Sequence, residues 1–184
     1  GGFLAMSRKI AKYIAGVEPE IRVQKYWDSK INIKAKIENF NQKFDLITCF
    51  HVIEHVMEPI YIIKILKKFL KKNGTLIIEV PNHDDALLSL YNCKSFINSY
   101  YWSQHLYVFN EKTLKQLIKK TGFKNINIKQ IQRYPLSNHL YWLSKGLPAG
   151  QEHWSFLNNK AIEQNYSHQL ARQNKCDTIL ALCK

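Results

Sequence analysis

Several residue types and patterns are scarce in this 184-residue chain, and each scarcity removes a class of protein. Cysteine occurs only at positions 49, 93, 176 and 183, never at a C-x-x-C spacing. That leaves neither a disulfide framework nor a paired-cysteine metal site. Cys49 and Cys183 lie in apolar, strand-like runs and read as small buried hydrophobes of a reducing compartment. Arginine occurs only at 8, 22, 133 and 172, so bidentate recognition of phosphates or base edges has few candidates. No uninterrupted apolar run approaches the ~20 residues that a bilayer span needs. The opening stretch, Gly1 to Gly16, offers Phe3, Leu4 and Met6 but is broken by Arg8, Lys9 and Lys12. This is no signal-peptide layout, and a cytoplasmic protein without a membrane span is the expectation. Internal repeats and low-complexity linkers are lacking too.

What is present fits one domain with a real core, since 46% of residues are hydrophobic and 12% aromatic. The formal charge is +13, from 27 basic and 14 acidic residues. Such a balance can signal an anionic partner. Here the excess is almost entirely lysine, in a chain also rich in asparagine and isoleucine, which is the signature of an AT-rich coding sequence as much as of a binding face. Lys64, Lys67, Lys68, Lys71 and Lys72 fall on the expected outer side of one helix and read as a solvated face. Nucleic acid is the minor alternative as partner.

Helix and strand patterns alternate along the chain. Phe3 to Tyr13 reads as helix, and Tyr13 to Glu18 as a short buried strand stopped by Pro19. Glu20 to Trp27 suits a short helix and Asn32 to Ile37 an alternating strand. Phe44 to Phe50 is an apolar central strand. A helix opens at Pro59, carries Ile62, Ile65, Leu66 and Phe69 on one face, and closes at Asn73-Gly74 by a C-cap signal. Thr75 to Val80 is a strand, Asn110 to Thr121 a strongly amphipathic helix, Asn125 to Ile131 a strand and Thr178 to Cys183 another. His83 to Tyr107 is aromatic and aperiodic, as a lid or substrate-facing insertion would be. Residues 134–175 are weakly periodic and form the candidate insertion or subdomain. The alternation predicts an α/β fold, doubly wound, with a mostly parallel sheet and helices on both faces.

In such a sheet, ligands bind beyond the carboxyl ends of the strands. Glu18 ends a buried strand about 16 residues after Gly1-Gly2, a spacing that suits an acid on ribose hydroxyls. The two glycines enter a helix, as an anion-binding turn would; a cloning remnant would look the same. His51-x-x-Glu54-His55 has the spacing of one zinc-protease class, but that class needs the motif inside a helix, and here it begins at a strand end. We read Glu54 and His55 as packing and capping the next turn and assign no metal ligand. His83, Asp84 and Asp85 follow a strand. His51 and His105 are the candidate general bases. Tyr100, Tyr101, Trp102 and Tyr107 are candidates for a stacking wall.

Taken in order, these pieces resemble the class I methyltransferases. The residues that carry the resemblance are Phe44-Asp45-Leu46-Ile47, then Val52-Ile53-Glu54-His55-Val56, Pro59, and the run from Leu70 to Asn82 with Asn73-Gly74 and Glu79-Val80-Pro81-Asn82. The pattern looks most like the small-molecule branch with ubiquinone-type and sugar O-methyltransferases. The resemblance implies a Rossmann-like fold and S-adenosylmethionine as cofactor. It places Gly1 and Gly2 at the tail of the glycine-rich loop, Glu18 on the ribose, Ile37 with Lys36 beside the adenine, and Phe50 and His51 along the methionine side. It also implies a first strand and acidic residue ahead of Gly1, so a longer natural protein is expected. In ubiquinone-type relatives an E-x-x-E-H stretch holds a divalent metal; this chain matches it at Glu54 and His55 but has His51 for the first acid. The implied reaction is methyl transfer to a hydroxyl of a sugar or phenol. A small-molecule acceptor is the expected partner, and a homodimer is compatible with it. RNA methyl transfer and a non-catalytic binding module are the alternatives.

Overall fold

The computed structural model describes residues 2–27, 31–101 and 104–184. The elements are α1 (Gly2–Ser7), β1 (Ala15–Val17), α2 (Ile21–Trp27), β2 (Asn32–Lys34), β3 (Phe44–Phe50), α3 (Pro59–Lys68), β4 (Leu70–Pro81), α4 (Ala86–Ser89), α5 (Lys94–Tyr100), α6 (Glu111–Lys119), β5 (Ile126–Ile131), α7 (Leu136–Lys145), α8 (Gly150–His153), α9 (Lys160–Arg172) and β6 (Thr178–Cys183). β1 and β2 pair in parallel as a two-stranded sheet, and a four-stranded sheet runs in the order β3-β4-β6-β5. β3 and β4 are parallel, whereas β6 is antiparallel to both β4 and β5. β6 alone therefore opposes its three companions. This is the α/β arrangement that the alternation predicts, of the Rossmann-like kind that the resemblance implies. The stacking of Tyr13, just before β1, on Phe44, which opens β3, ties the two sheets together at their entry ends.

The core follows from strand alternation. Leu76, Ile78 and Val80 of β4 are fully buried, as are Ile179, Ala181 and Cys183 of β6. They share a cluster with Ile63 of α3 and with Leu114 and Ile118 of α6. α3 has proline in its first turn, where no N–H is missed. α6 begins with a capping box: Asn110 Oδ1 accepts from the Thr113 N–H, and Thr113 Oγ1 accepts from the Asn110 N–H. The alternate residues point to the other face, where Phe50 and Glu79 are paired in register. There Phe3 of α1 packs edge-on against Phe50, with ring centroids 5.2 Å apart. Helices thus touch both faces.

Some boundaries differ from expectation. α1 ends at Ser7, and β2 ends at Lys34 with Ile37 opening a 3-10 turn. α3 stops at Lys68 rather than Asn73-Gly74, because Leu70 is buried and pairs with Phe44. The register then jumps to Leu46 opposite Thr75, so residues 71–74 form a bulge in which Asn73 takes φ 69°. Gly74 serves close packing, not a helix cap: a Cβ there would lie 3.0 Å from the carbonyl oxygens of Lys71 and Phe44. Residues 134–175, weakly periodic in sequence, hold α7, α8 and α9. No helix among the described residues is long and apolar enough to cross a membrane.

Candidate active site

β3 delivers His51 to the carboxyl end of the sheet. Its N–H donates to the Glu79 carbonyl, and its backbone sits at φ 51°, a region that non-glycine residues seldom occupy. The imidazole lies between two acids. Nε2 is 3.0 Å from Glu79 Oε1, and Nδ1 is 3.3 Å from Glu54 Oε1. Arg133, just past β5, reaches the same point: its Nη1 is 3.2 Å from Glu79 Oε1 and contacts His51 Nε2. Arg133 and His51 both approach the same Glu79 oxygen; Arg133 donates to Nε2 only while that nitrogen carries no proton, and Nδ1 faces Glu54 at ion-pair distance. The Glu54 carboxylate, chiefly, raises the His51 pKa above its ordinary value; burial and the Arg133 charge work against it.

Glu54 is the unusual group. Its side chain is 2% exposed, and neither carboxylate oxygen has a hydrogen-bond partner among the described residues. Its backbone carbonyl accepts from the N–H groups of Leu106 and Tyr107. Those two bonds draw the aromatic segment over the turn and bring His105 beside His55, with ring centroids 5.0 Å apart. His55 Nδ1 faces the Gln104 carbonyl at 2.8 Å, and His105 Nδ1 faces the Tyr100 carbonyl at 3.0 Å. A carbonyl on Nδ1 fixes the proton there and turns the Nε2 lone pair elsewhere. One ligand atom from each of Glu54, His55 and His105 lies within 4.8 Å of the others. Two imidazoles and a carboxylate so arranged are a donor set for a divalent cation. The sequence alone assigns no ligand here because nothing in it places His105 against Glu54. A cavity of about 360 Å³ opens beside them, lined by His55, Gln104 and Leu106.

Other candidates have local duties. His83 Nε2 is 2.7 Å from the Tyr101 hydroxyl, and the Tyr107 hydroxyl donates to the Met57 carbonyl. Asp85 is buried and caps α4 by accepting from the Leu87 N–H; burial pushes its pKa up to about 7. Tyr100 is buried. Glu18 immediately follows β1, with its N–H on the Lys34 carbonyl, and its Oε1 accepts from the Glu20 N–H. Lys36 is exposed and Ile37 half-buried, in the turn that follows β2. Gly2 opens α1, next to the Phe3 that packs on Phe50. Gly1 and Trp102 lie outside the described residues. The structure therefore gathers His51 and His105 around Glu54, sets Phe50 opposite Glu79 in the sheet, and leaves Glu18, Lys36 and Ile37 just past the ends of the two-stranded sheet. Sequence reasoning passed over Glu79 and Arg133. The available signals were an acid on the outward register of an apolar strand, and one of four arginines immediately after a strand.

Residues 1–128 match the methyltransferase-domain family. The chain belongs to that family. A tRNA U34 carboxymethyltransferase of Campylobacter fetus is 30% identical over 112 residues, which is 56% of this chain and 38% of that enzyme. The chain thus spans well under two thirds of that relative's length. Among solved structures, a SAM-dependent methyltransferase of Archaeoglobus fulgidus superposes with a TM-score of 0.63 at 16% identity, covering 99% of this chain and 80% of its own. A SAM-dependent methyltransferase of Thermotoga maritima superposes at 0.62 with 19% identity, covering 100% and 76%. As a methyltransferase domain, the chain carries its polar cluster where ligands of this fold class collect, outside the carboxyl ends of the strands.

Proposed function

We propose that this methyltransferase domain transfers a methyl group from S-adenosylmethionine to a hydroxyl of a small molecule, a sugar or phenol. The observation that carries the reading is the convergence of His51, Glu54, His55 and His105 beside an open cavity at the carboxyl end of β3. The cofactor, when bound, supplies a methyl group activated by a sulfonium. Alignment and exclusion of water then contribute much of the rate. Glu18 is the residue for the ribose, Ile37 and Lys36 border the adenine, and Phe50, Gly1 and Gly2 flank the methionine part. His51 takes the acceptor's proton, or His105 when no cation occupies its Nε2. Glu54 and Glu79 hold the His51 ring, and Glu54, His55 and His105 are the residues that would hold a cation against an acceptor oxygen. The segment 134–175 completes the acceptor side.

A second reading is methyl transfer to RNA. It is favoured by the relative named for tRNA and by the complete lack of Asp and Glu from Lys112 to Gln151. A steep fall of RNA affinity with salt would support it. The test of the main reading is calorimetric titration of the whole protein with S-adenosylhomocysteine. Binding is expected, with Glu18→Ala weakening it at least about tenfold, or ~1.4 kcal/mol. Absence of binding would leave a non-catalytic module.

A further inference from the structure

Arg133 stands beside the site with its backbone held and one edge of its guanidinium uncommitted. Asp177, just before β6, is buried. Its Oδ2 accepts from the N–H groups of Arg133 and Tyr134, each at 2.9 Å, and from Gln132 Nε2 at 2.9 Å. Those bonds fix three consecutive residues after β5. The Arg133 side chain then reaches the carboxyl end of β3, where Nη1 meets Glu79 and His51. Nε and Nη2 have no partner among the described residues. The Nε–Nη2 edge is a fork that can pair with two oxygens of a carboxylate or phosphate at once. The surrounding charges are layered to receive an anion. The Arg133 side chain is 49% exposed, whereas Glu79 is 15% and Glu54 2% exposed. Both acids therefore lie behind the cation, and the charge that faces solvent is positive. The chain around Arg133, from Lys112 to Gln151, has no Asp or Glu to compete for the fork.

We propose that Arg133 binds an anionic group of the acceptor, a carboxylate or phosphate, so that the site takes an anionic hydroxyl compound. The inference rests on the methyl-transfer reading of this same site. His51 touches Arg133, so an acceptor held by its anion at the Nε–Nη2 edge has its hydroxyl near the imidazole. Holding the acceptor by a group remote from the reacting oxygen supplies the alignment that methyl transfer needs. Because Asp177 holds the backbone, the fork is in place beforehand, and less freedom is lost when the anion docks.

The experiment follows the Arg133 Nε–H resonance of the whole protein by NMR, assigned by its loss in Arg133→Gln, with S-adenosylhomocysteine present. Benzoate and benzamide are the probes, alike in shape and unlike in charge. A saturable shift with benzoate is expected, at an affinity at least about tenfold above that of benzamide. Phenyl phosphate should shift the same resonance, and the tighter of the two anions names the group. Arg133→Gln should weaken benzoate, measured by calorimetry, at least about tenfold and leave the affinity for S-adenosylhomocysteine unchanged. Equal responses to benzoate and benzamide would overturn the proposal, as would benzoate binding that survives Arg133→Gln. So would a loss of S-adenosylhomocysteine affinity in Arg133→Gln together with failure of benzoate to bind the loaded protein, because the guanidinium would then belong to the cofactor's own carboxylate. Failure of S-adenosylhomocysteine to bind the unaltered protein is a separate result: it removes the methyl-transfer reading and the acceptor's anion with it. Failure of benzoate and phenyl phosphate alone overturns the proposal and leaves that reading standing.

Discussion

Replacing Glu54 by glutamine removes a charge and almost nothing else, which makes its consequences calculable. The carboxylate lies 3.3 Å from His51 Nδ1, and the His51 side chain is 35% exposed. Water therefore screens the pair, and a water-like dielectric gives on the order of 1 kcal/mol. Glu54 is the largest cause raising the His51 pKa, so Glu54→Gln brings it back down toward the ordinary histidine value. The sign for stability follows. A histidine whose pKa is raised by folding contributes stability that is fully present below its unfolded value, near 6.5, and is lost as pH rises through the folded value. Glu54→Gln should accordingly cost ~1 kcal/mol more at pH 6 than at pH 9. Urea unfolding at the two pH values measures this, provided the slopes with denaturant agree between variants. A difference between wild type and variant that is the same at both pH values would refute the argument, because it would mean that Glu54 does not hold the His51 proton.

Zinc should bind the whole protein through Glu54, His55 and His105, stabilising it by about 2.7 kcal/mol at one hundred times the dissociation constant. A thermal melt with and without chelator reads the effect, which His105→Ala should abolish. Gly74→Ala should destabilise the domain by about 1–3 kcal/mol, because its methyl would press on the carbonyl oxygens of Lys71 and Phe44 at 3.0 Å and of Asp45 at 3.2 Å. A denaturation midpoint equal to the wild type would show that the start of β3 can move away.

The elements whose periodicity is strong were legible before any coordinates: Phe44–Phe50 matches its expected span, and α6 and β6 fall where their apolar spacing puts them. The errors have identifiable physics. Asn73-Gly74 imitates a helix end, but the pairing of Leu70 with Phe44 outweighs a local turn preference. Residues 134–175 carry three helices whose polar interior hides their period. His139, for instance, is buried with Nδ1 2.7 Å from the Tyr166 hydroxyl, and burial pushes its pKa down to about 4. At the site, His51 and Glu54 were readable because they are close in sequence. The approach of His105 depends on two backbone bonds to the Glu54 carbonyl, and that of Arg133 on a carboxylate at position 177. Long-range closures of that kind leave no local pattern.

The order β3-β4-β6-β5 has a consequence for how the chain is made. β5 has β6 as its partner in the sheet, yet residues 132–177 separate the two in sequence. During synthesis β5 must wait for that whole stretch before it can pair, holding Ile126, Ile128 and Ile131 on an unpaired edge meanwhile. Such an edge invites pairing with a neighbouring chain. The lysine-rich α6, packed beside β5 and already complete, then has a second use as a soluble shield for the nascent chain. The acid-poor stretch around it reads as protection during a slow, non-local closure.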